Sequence, residues 1–315
     1  MAKNIINDTE FSYLRHIKGS ENWVSAVTVG GGWSSDIKFK VTTSDGEKLL
    51  LRVSDIKSLE KKKAEYDAVC EVDTLGIIMS KPYEFGTLEE DGKLYMKLAW
   101  LEGANVEDAM PKLTAAQQYE AGIKAGQLLR KIHSLPSKLT PEQWKAKNIK
   151  VLTERAALYR DCDYYKIEHY EEMMDFIQKS MFLLDNRPLT FHHGDFQGRN
   201  IIVLKTGEVG VIDFERTSSG DPYEEFNRMM TYTRRFSVDF SRGQIDGYFG
   251  NEPIPDNFFH IVAFHTAMKL LTTIIFGVTT KQKHIYEENE LAKEVLFKDF
   301  KGYTQFVPDW YKRGR

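Results

Sequence analysis

Cysteine is almost absent from this chain of 315 residues, which holds only Cys70 and Cys162. Two thiols cannot build a disulfide framework or a four-thiolate zinc site. A surplus of positive charge is missing too: 43 basic residues meet 46 acidic ones, for a formal net charge of −3. General nucleic-acid binding needs excess Lys and Arg to displace counterions from phosphates, so no nucleic-acid partner is expected. The first residues, MAKNIINDTEF, lack an apolar run of the secretory kind, and the longest apolar stretch near the other end, 270–278, is too short to cross a bilayer. The expectation is a cytoplasmic protein with no membrane partner. What is present is ordinary: 42% hydrophobic and 28% charged residues, enough to bury a sizeable core. The length points to two domains or two lobes.

The chain changes character near residue 100. Before it, 24–29, 37–43 and 48–53 read as strands, separated by Gly30, Gly31 and Gly32 and then by the turn Ser44-Asp45-Gly46. From 56 to 74 the period is helical, with Leu59, Tyr66, Val69 and Val72 on one side. Lys61, Lys62 and Lys63 read as a solvated face, and Gly76 closes the helix. Apolar runs at 77–85 and 94–101 flank the turn Glu89-Glu90-Asp91-Gly92. After Gly103 the pattern is mainly helical. Thr114 caps a helix to His133, Pro136 and Pro141 bound a loop, and two helices follow between 148 and 184. A strand-like island at 191–215 interrupts the helices. The expected division is 1–100 and 101–315.

That island carries the chemistry. His193-Gly194-Asp195 is followed by Asn200, and the strand Val209–Ile212 then delivers Asp213. Phosphoryl transfer needs one carboxylate to take the acceptor's proton, and an amide oxygen with a second carboxylate to hold Mg²⁺ on the nucleotide phosphates. Asp195, Asn200 and Asp213 supply these groups. Adjacent His192 and His193 point apart on an extended segment, so metal binding by the pair is not expected; His193 is the candidate to anchor the loop by hydrogen bonding.

The segments HGDFQGRN and VIDFERTSSGDPYEEF resemble the catalytic region of the aminoglycoside phosphotransferase and choline kinase superfamily, which shares the protein-kinase-like fold. The resemblance implies an α+β, two-lobed protein with a small antiparallel-sheet N-lobe and a larger, mainly helical C-lobe. It implies Asp195 as catalytic base, Asn200 and Asp213 as Mg²⁺ ligands, and Arg216 near the transferred phosphate. Asp221 and Pro222 match a Gly-Asp-Pro segment, whereas Glu225 and Phe226 stand where aspartate and leucine are usual. GQLLRKIHSLP at 126–136 is similar to a family helix. In the N-lobe, backbone N–H groups around Gly30, Gly31, Gly32, Ser34 and Ser35 can approach phosphates. Leu98 and Trp100 sit where the family's hinge meets the purine. Kinases also pair a cation on the third strand with a glutamate on the next helix. Glu65 fits, with Glu60 second, but the strand offers Arg52 in place of lysine.

The activity implied is transfer of the γ-phosphoryl group of ATP or GTP to a small-molecule hydroxyl, with an aminoglycoside as the leading acceptor. A cationic acceptor favours nearby carboxylates. Asp221, Glu224 and Glu225 form one acidic group, with Glu224 the freest, and Glu287, Glu288 and Glu290 form another. Choline or ethanolamine, a macrolide or a sugar derivative are the alternatives. Choline needs an aromatic cage, for which Tyr223, Tyr248 and Phe249 are candidates. A nucleotide-binding pseudokinase is the non-enzymatic alternative, supported only by Arg52.

Overall fold

Alternating strands in the first hundred residues close into one antiparallel sheet. A computed structural model describes residue 4, residues 8–30 and residues 36–312. Strands β1 (Trp23–Thr28), β2 (Ile37–Thr43), β3 (Lys48–Asp55), β4 (Pro82–Leu88) and β5 (Lys93–Ala99) lie in the order β1-β2-β3-β5-β4. The turn at Ser44-Asp45-Gly46 sets Phe39 opposite Leu51 and Val41 opposite Leu49. These residues bury one sheet face against Tyr13, Leu14 and Ile17. The pleat sends Lys38 and Arg52, directly opposite each other, to the other face.

Helix α1 (Leu59–Asp73) follows β3 through one turn of 3₁₀-helix, and Gly76 ends the segment at φ 62°. Its buried stripe is Lys62, Glu65, Ala68, Val69 and Val72. The sequence reading placed Lys62 on a solvated face with Lys61 and Lys63. Lys62 is instead 2% exposed, while Leu59, expected to be buried, is 38% exposed. Ion pairing on the stripe outweighs the apolar periodicity here.

The remaining elements are β6 (Gly103–Asn105), α2 (Val106–Ala109), α3 (Ala115–Ile132), α4 (Pro141–Arg160), α5 (Tyr170–Lys179), β7 (Thr190–His192), β8 (Ile201–Leu204), β9 (Val209–Val211), β10 (Ser218–Gly220), α6 (Phe226–Thr231), α7 (Val238–Phe249), α8 (Phe258–Thr279) and α9 (Lys283–Asp299). Thr114 caps α3 through a capping box, as expected. Pro141 does not bound a loop: Thr140 caps α4 and Pro141 opens it, where a missing N–H costs nothing. Two compact units result, 1–103 with 210–215, and 104–209 with 216–315. The division read from sequence, near residue 100, did not anticipate the return of 210–215 to the first unit. Val211 N donates to Ile78 O at 3.0 Å, and Ser80 N donates to Val211 O at 3.2 Å. Those bonds tie 210–215 to 78–80.

Helix α8 is long and apolar enough by length and composition to cross a membrane, a wider apolar span than the 270–278 run. In the structure 83% of its most apolar window is buried within the protein, as in a core helix. Phe258, Phe259 and Phe264 are core residues, as expected. Helices α3 and α7 meet through four glycines. A Cβ on Gly122, Gly126, Gly243 or Gly247 would sit 2.1 Å from a carbonyl oxygen of the facing helix.

Gly126→Ala tests that interface by its sign. In an open helix Ala would add about 1 kcal/mol of stability. Against a backbone oxygen it is expected to cost about 2–3 kcal/mol, read as a lower urea midpoint at unchanged slope. A stabilised variant would show that the two helices are not in close register.

Candidate active site

In the first unit, the sequence reading placed Arg52 where a phosphate-facing lysine is usual. Its guanidinium is 3% exposed and surrounded by carboxylates. Nε donates to Asp36 Oδ2 at 2.9 Å, and Nη2 bonds the same oxygen. Nη1 donates to Glu65 Oε1 at 2.5 Å, and Nη2 reaches Glu215 Oε2 at 3.4 Å. The Arg52–Glu65 pairing read from the sequence is therefore formed, and Glu60 is not part of it.

Lys62 completes the cluster, with Nζ 2.8 Å from Asp36, 3.0 Å from Glu65 and 3.6 Å from Glu215. Ser54 donates to Asp36 Oδ1 at 2.7 Å. Burial alone would raise the Asp36 carboxyl, but Arg52, Lys62 and Ser54 hold it down at about 2.

Asp213 lies beside this cluster. Its φ of 66° is left-handed, a conformation uncommon outside glycine, so the backbone is held in a strained form to aim the side chain. Oδ2 is 3.7 Å from Lys38 Nζ, and Oδ1 is buried with no hydrogen bond among the described residues. Arg52 Nη1 stands 4.0 Å from that oxygen, and a buried carboxylate oxygen that accepts no hydrogen bond fits a cation ligand. Leu98 is buried in β5, opposite Leu50 and Pro82. Trp100 N donates to Lys48 O at 3.3 Å, and Lys40 Nζ lies 4.4 Å over its ring. Gly30 is exposed with open space around its Cα; Gly31, Gly32, Ser34 and Ser35 lie outside the described residues.

In the second unit, β7 pairs with β10 and leads into the loop 193–200. Glu225 holds the start of that loop: His193 N donates to its Oε2 at 2.8 Å and Gly194 N to its Oε1 at 2.7 Å. His133 Nε2 is 3.2 Å from Oε2 and Nδ1 is 2.9 Å from the Tyr248 hydroxyl. A carboxylate only accepts, so Nε2 carries the proton and the hydroxyl donates to Nδ1. Burial pushes the His133 pKa down. Burial would raise Glu225, but His133, with His192 and His193, holds it down at about 2. Gly194 has φ 81°, and a Cβ there would lie 1.8 Å from Arg216 O, so only glycine fits.

The loop presents Asp195. Its N–H donates to His193 Nδ1 at 3.2 Å, the anchoring expected for His193. Asn200 Nδ2 donates to Asp195 O at 2.9 Å and Oδ2 at 3.1 Å, which leaves Asn200 Oδ1 as an acceptor for a cation. Gln197 Nε2 reaches both carboxylate oxygens at 3.2 Å, and Arg228 Nε is 3.4 Å from Oδ1. Sequence reasoning missed Arg228, Gln197 and His133. Gln197 stands inside the quoted motif, and Arg228 lies one helical turn past Glu225. Arg216 is exposed.

Two of the acceptor-site residues expected from sequence are corrected. Asp221 is 0% exposed and ion-paired with Arg187, while Glu225 is 2% exposed and spent on the loop. Burial would raise Asp221, but His265 and Arg187 hold it down at about 2. Neither offers an oxygen to a substrate. Glu224 remains partly open, lining a pocket of about 100 Å³ with Trp144 and Lys269, and accepts from Trp144 Nε1 at 3.1 Å. Glu287, Glu288 and Glu290 are divided among Lys283, Arg235 and Lys293. Tyr223, Tyr248 and Phe249 do come together, with Tyr223 and Tyr248 5.9 and 5.2 Å from Phe249. They form packed core rather than a cage, since Tyr248 and Phe249 are buried.

The depressed pKa values set an acid limit on stability. A native carboxyl at about 2 resists protonation until well below the unfolded value near 4, so its stabilisation is complete above that value and lost as pH falls towards 2. His133, kept neutral by burial, adds a loss that starts as pH drops below its ordinary value. The melting temperature is expected to fall gently below about pH 6.5 and steeply below about 4.5, with Glu225→Gln flattening the steep part. A melting temperature flat from pH 6 to 3 would contradict these pairings.

The profile of the phosphotransferase enzyme family matches residues 25–257. No curated protein matches the sequence. A choline/ethanolamine kinase family protein from Mesorhizobium loti is similar in structure, with 14% identity, a TM-score of 0.67, and coverage of 96% of this chain and 98% of that one. The GDP and kanamycin complex of APH(2")-IIia gives 13% identity, a TM-score of 0.67, and coverage of 92% and 99%. Choline kinase LicA from Streptococcus pneumoniae gives 14%, 0.62, 92% and 99%. Identities this low speak for the fold. The family match speaks for the chemistry: the chain, protein-kinase-like in fold, belongs to the phosphotransferase enzyme family and is a phosphotransferase with a hydroxyl acceptor.

Proposed function

We propose that the chain transfers the γ-phosphoryl group of ATP or GTP to a hydroxyl of a small molecule, with an aminoglycoside as the first acceptor to test. The observation that carries the reading is the held carboxylate of Asp195, oriented by Gln197, Asn200 and Arg228 on a loop that Glu225 clamps. Asp195 accepts the proton of the acceptor hydroxyl as its oxygen bonds to the γ-phosphorus and the bond to the nucleoside diphosphate breaks. Asn200 Oδ1 in the second unit, and Asp213 Oδ1 in the first, which accepts no hydrogen bond among the described residues, are each an oxygen of the kind that would hold Mg²⁺. Mg²⁺ held by such oxygens would neutralise phosphate charge, a role that needs few protein ligands. Among the described residues no group of three or more His, Cys, Asp or Glu forms a cage for a metal ion.

The aminoglycoside choice rests on solved neighbours such as the kanamycin complex named above and on Glu224, now that Asp221 and Glu225 are assigned to the fold. A choline kinase is also among those neighbours. The test is Mg²⁺-dependent consumption of ATP and GTP against aminoglycosides, macrolides, choline and small sugars, with mass spectrometry for the phosphorylated product. Asp195→Ala is expected to lower turnover about 10²- to 10⁴-fold while leaving nucleotide affinity within about threefold. Equal turnover in variant and wild type would remove Asp195 from the chemistry. A phosphorylated acceptor of another class would keep the reaction and discard the aminoglycoside.

A further inference from the structure

A phosphotransferase of this fold needs a cation on the inner sheet face to meet the donor's phosphates, and the residue standing at the usual place is already committed. Arg52 directs Nε, Nη1 and Nη2 at Asp36, Glu65 and Glu215 from a position 3% exposed. Turning it towards a phosphate would leave the Asp36 side chain, 0% exposed, and Glu65, 4% exposed, short of a counter-charge. Lys62 is equally bound, 3% exposed between the same three carboxylates.

We propose that Lys38 on β2, rather than Arg52 on β3, is the phosphate-binding cation. This rests on the phosphotransferase reading. Lys38 is directly opposite Arg52 in the β2–β3 register, so its side chain leaves the same face one strand over. The side chain is 14% exposed, against 3% for Arg52. Among the described residues its ammonium has one ion-pair partner, Asp213 Oδ2, at 3.7 Å, longer than a hydrogen bond. Asp213 is the carboxylate read as the metal ligand, and Arg52 Nη1 also lies 4.0 Å from its Oδ1; Arg52 is held by three further carboxylates, whereas Lys38 has no second one among the described residues. A lysine ammonium, with three rotatable donors on a flexible stem, suits a phosphate oxygen. The replacement of lysine by arginine on β3 therefore divides one residue's two tasks. Arg52 retains the pairing with the α1 glutamate, and Lys38 takes the phosphate.

The test is titration calorimetry of Mg²⁺–ATP and Mg²⁺–GTP, with adenosine and guanosine as phosphate-free controls, on wild type, Lys38→Ala and Arg52→Lys. Lys38→Ala is expected to weaken triphosphate binding about 10- to 100-fold, leave nucleoside binding within about twofold, and keep its melting temperature. Arg52→Lys is expected to melt about 5 °C lower or more, yet bind the triphosphate within about threefold while folded. The proposal is overturned if Lys38→Ala binds triphosphate like wild type, or loses nucleoside and triphosphate alike. It is equally overturned if Arg52→Lys, at unchanged melting temperature, shows the phosphate-specific loss. Wild type that binds neither nucleotide would instead defeat the phosphotransferase reading itself, and this proposal with it.

Discussion

A guanidinium withdrawn from water must keep its counter-charges, and the first unit is arranged around that requirement. Arg52 is surrounded by Asp36, Glu65 and Glu215, which come from the residue just before β2, from α1 and from the segment after β9. One buried cation thus ties the sheet, the helix and the returning segment together. Removing one partner of such a group costs about 3–5 kcal/mol, because a charge is left unpaired in a poor solvent. Lys62 makes the arrangement tighter by bridging the same carboxylates from α1. Asp213 sits two residues before Glu215, so the network also sets where its strained backbone is presented.

The second unit solves a comparable problem with the opposite charge. Glu225 is buried and accepts two backbone N–H groups at the start of the loop, with His133 sharing the load. Its two carboxylate oxygens reach one amide each. In both units, then, the most buried charged groups hold backbone in place. Asp195, Lys38 and Asp213 are more accessible, with side chains 17%, 14% and 31% exposed, and these are the groups given chemical tasks.

The fold was legible wherever period and punctuation agreed. Ser44-Asp45-Gly46 marks the hairpin that places residue 38 opposite residue 52, so the Lys38–Arg52 adjacency was contained in the sequence, although Lys38 was not singled out. The 191–215 segment stood out in the sequence because Asp195, Asn200 and Asp213 fall at a spacing suited to phosphoryl transfer rather than to helix packing. Lys62 was not readable, since a lysine run looks solvated until Asp36 and Glu65 are known to face it. The acidic group at 221–225 misled for the same reason: Arg187, thirty-four residues away, neutralises Asp221 from another element. Pairings between distant segments carry no local signal. The left-handed φ at Asp213 likewise depends on surroundings, because nothing in VIDFE announces it.

The central claim is that Arg52 belongs to the fold and Lys38 to the nucleotide. A crystal structure with Mg²⁺ and a non-hydrolysable nucleoside triphosphate tests it most directly. The expected result is Lys38 Nζ within about 3 Å of a phosphate oxygen, with Arg52 still on Asp36 and Glu65. A guanidinium that has left those carboxylates to bond the phosphates, with Lys38 standing off, would contradict it.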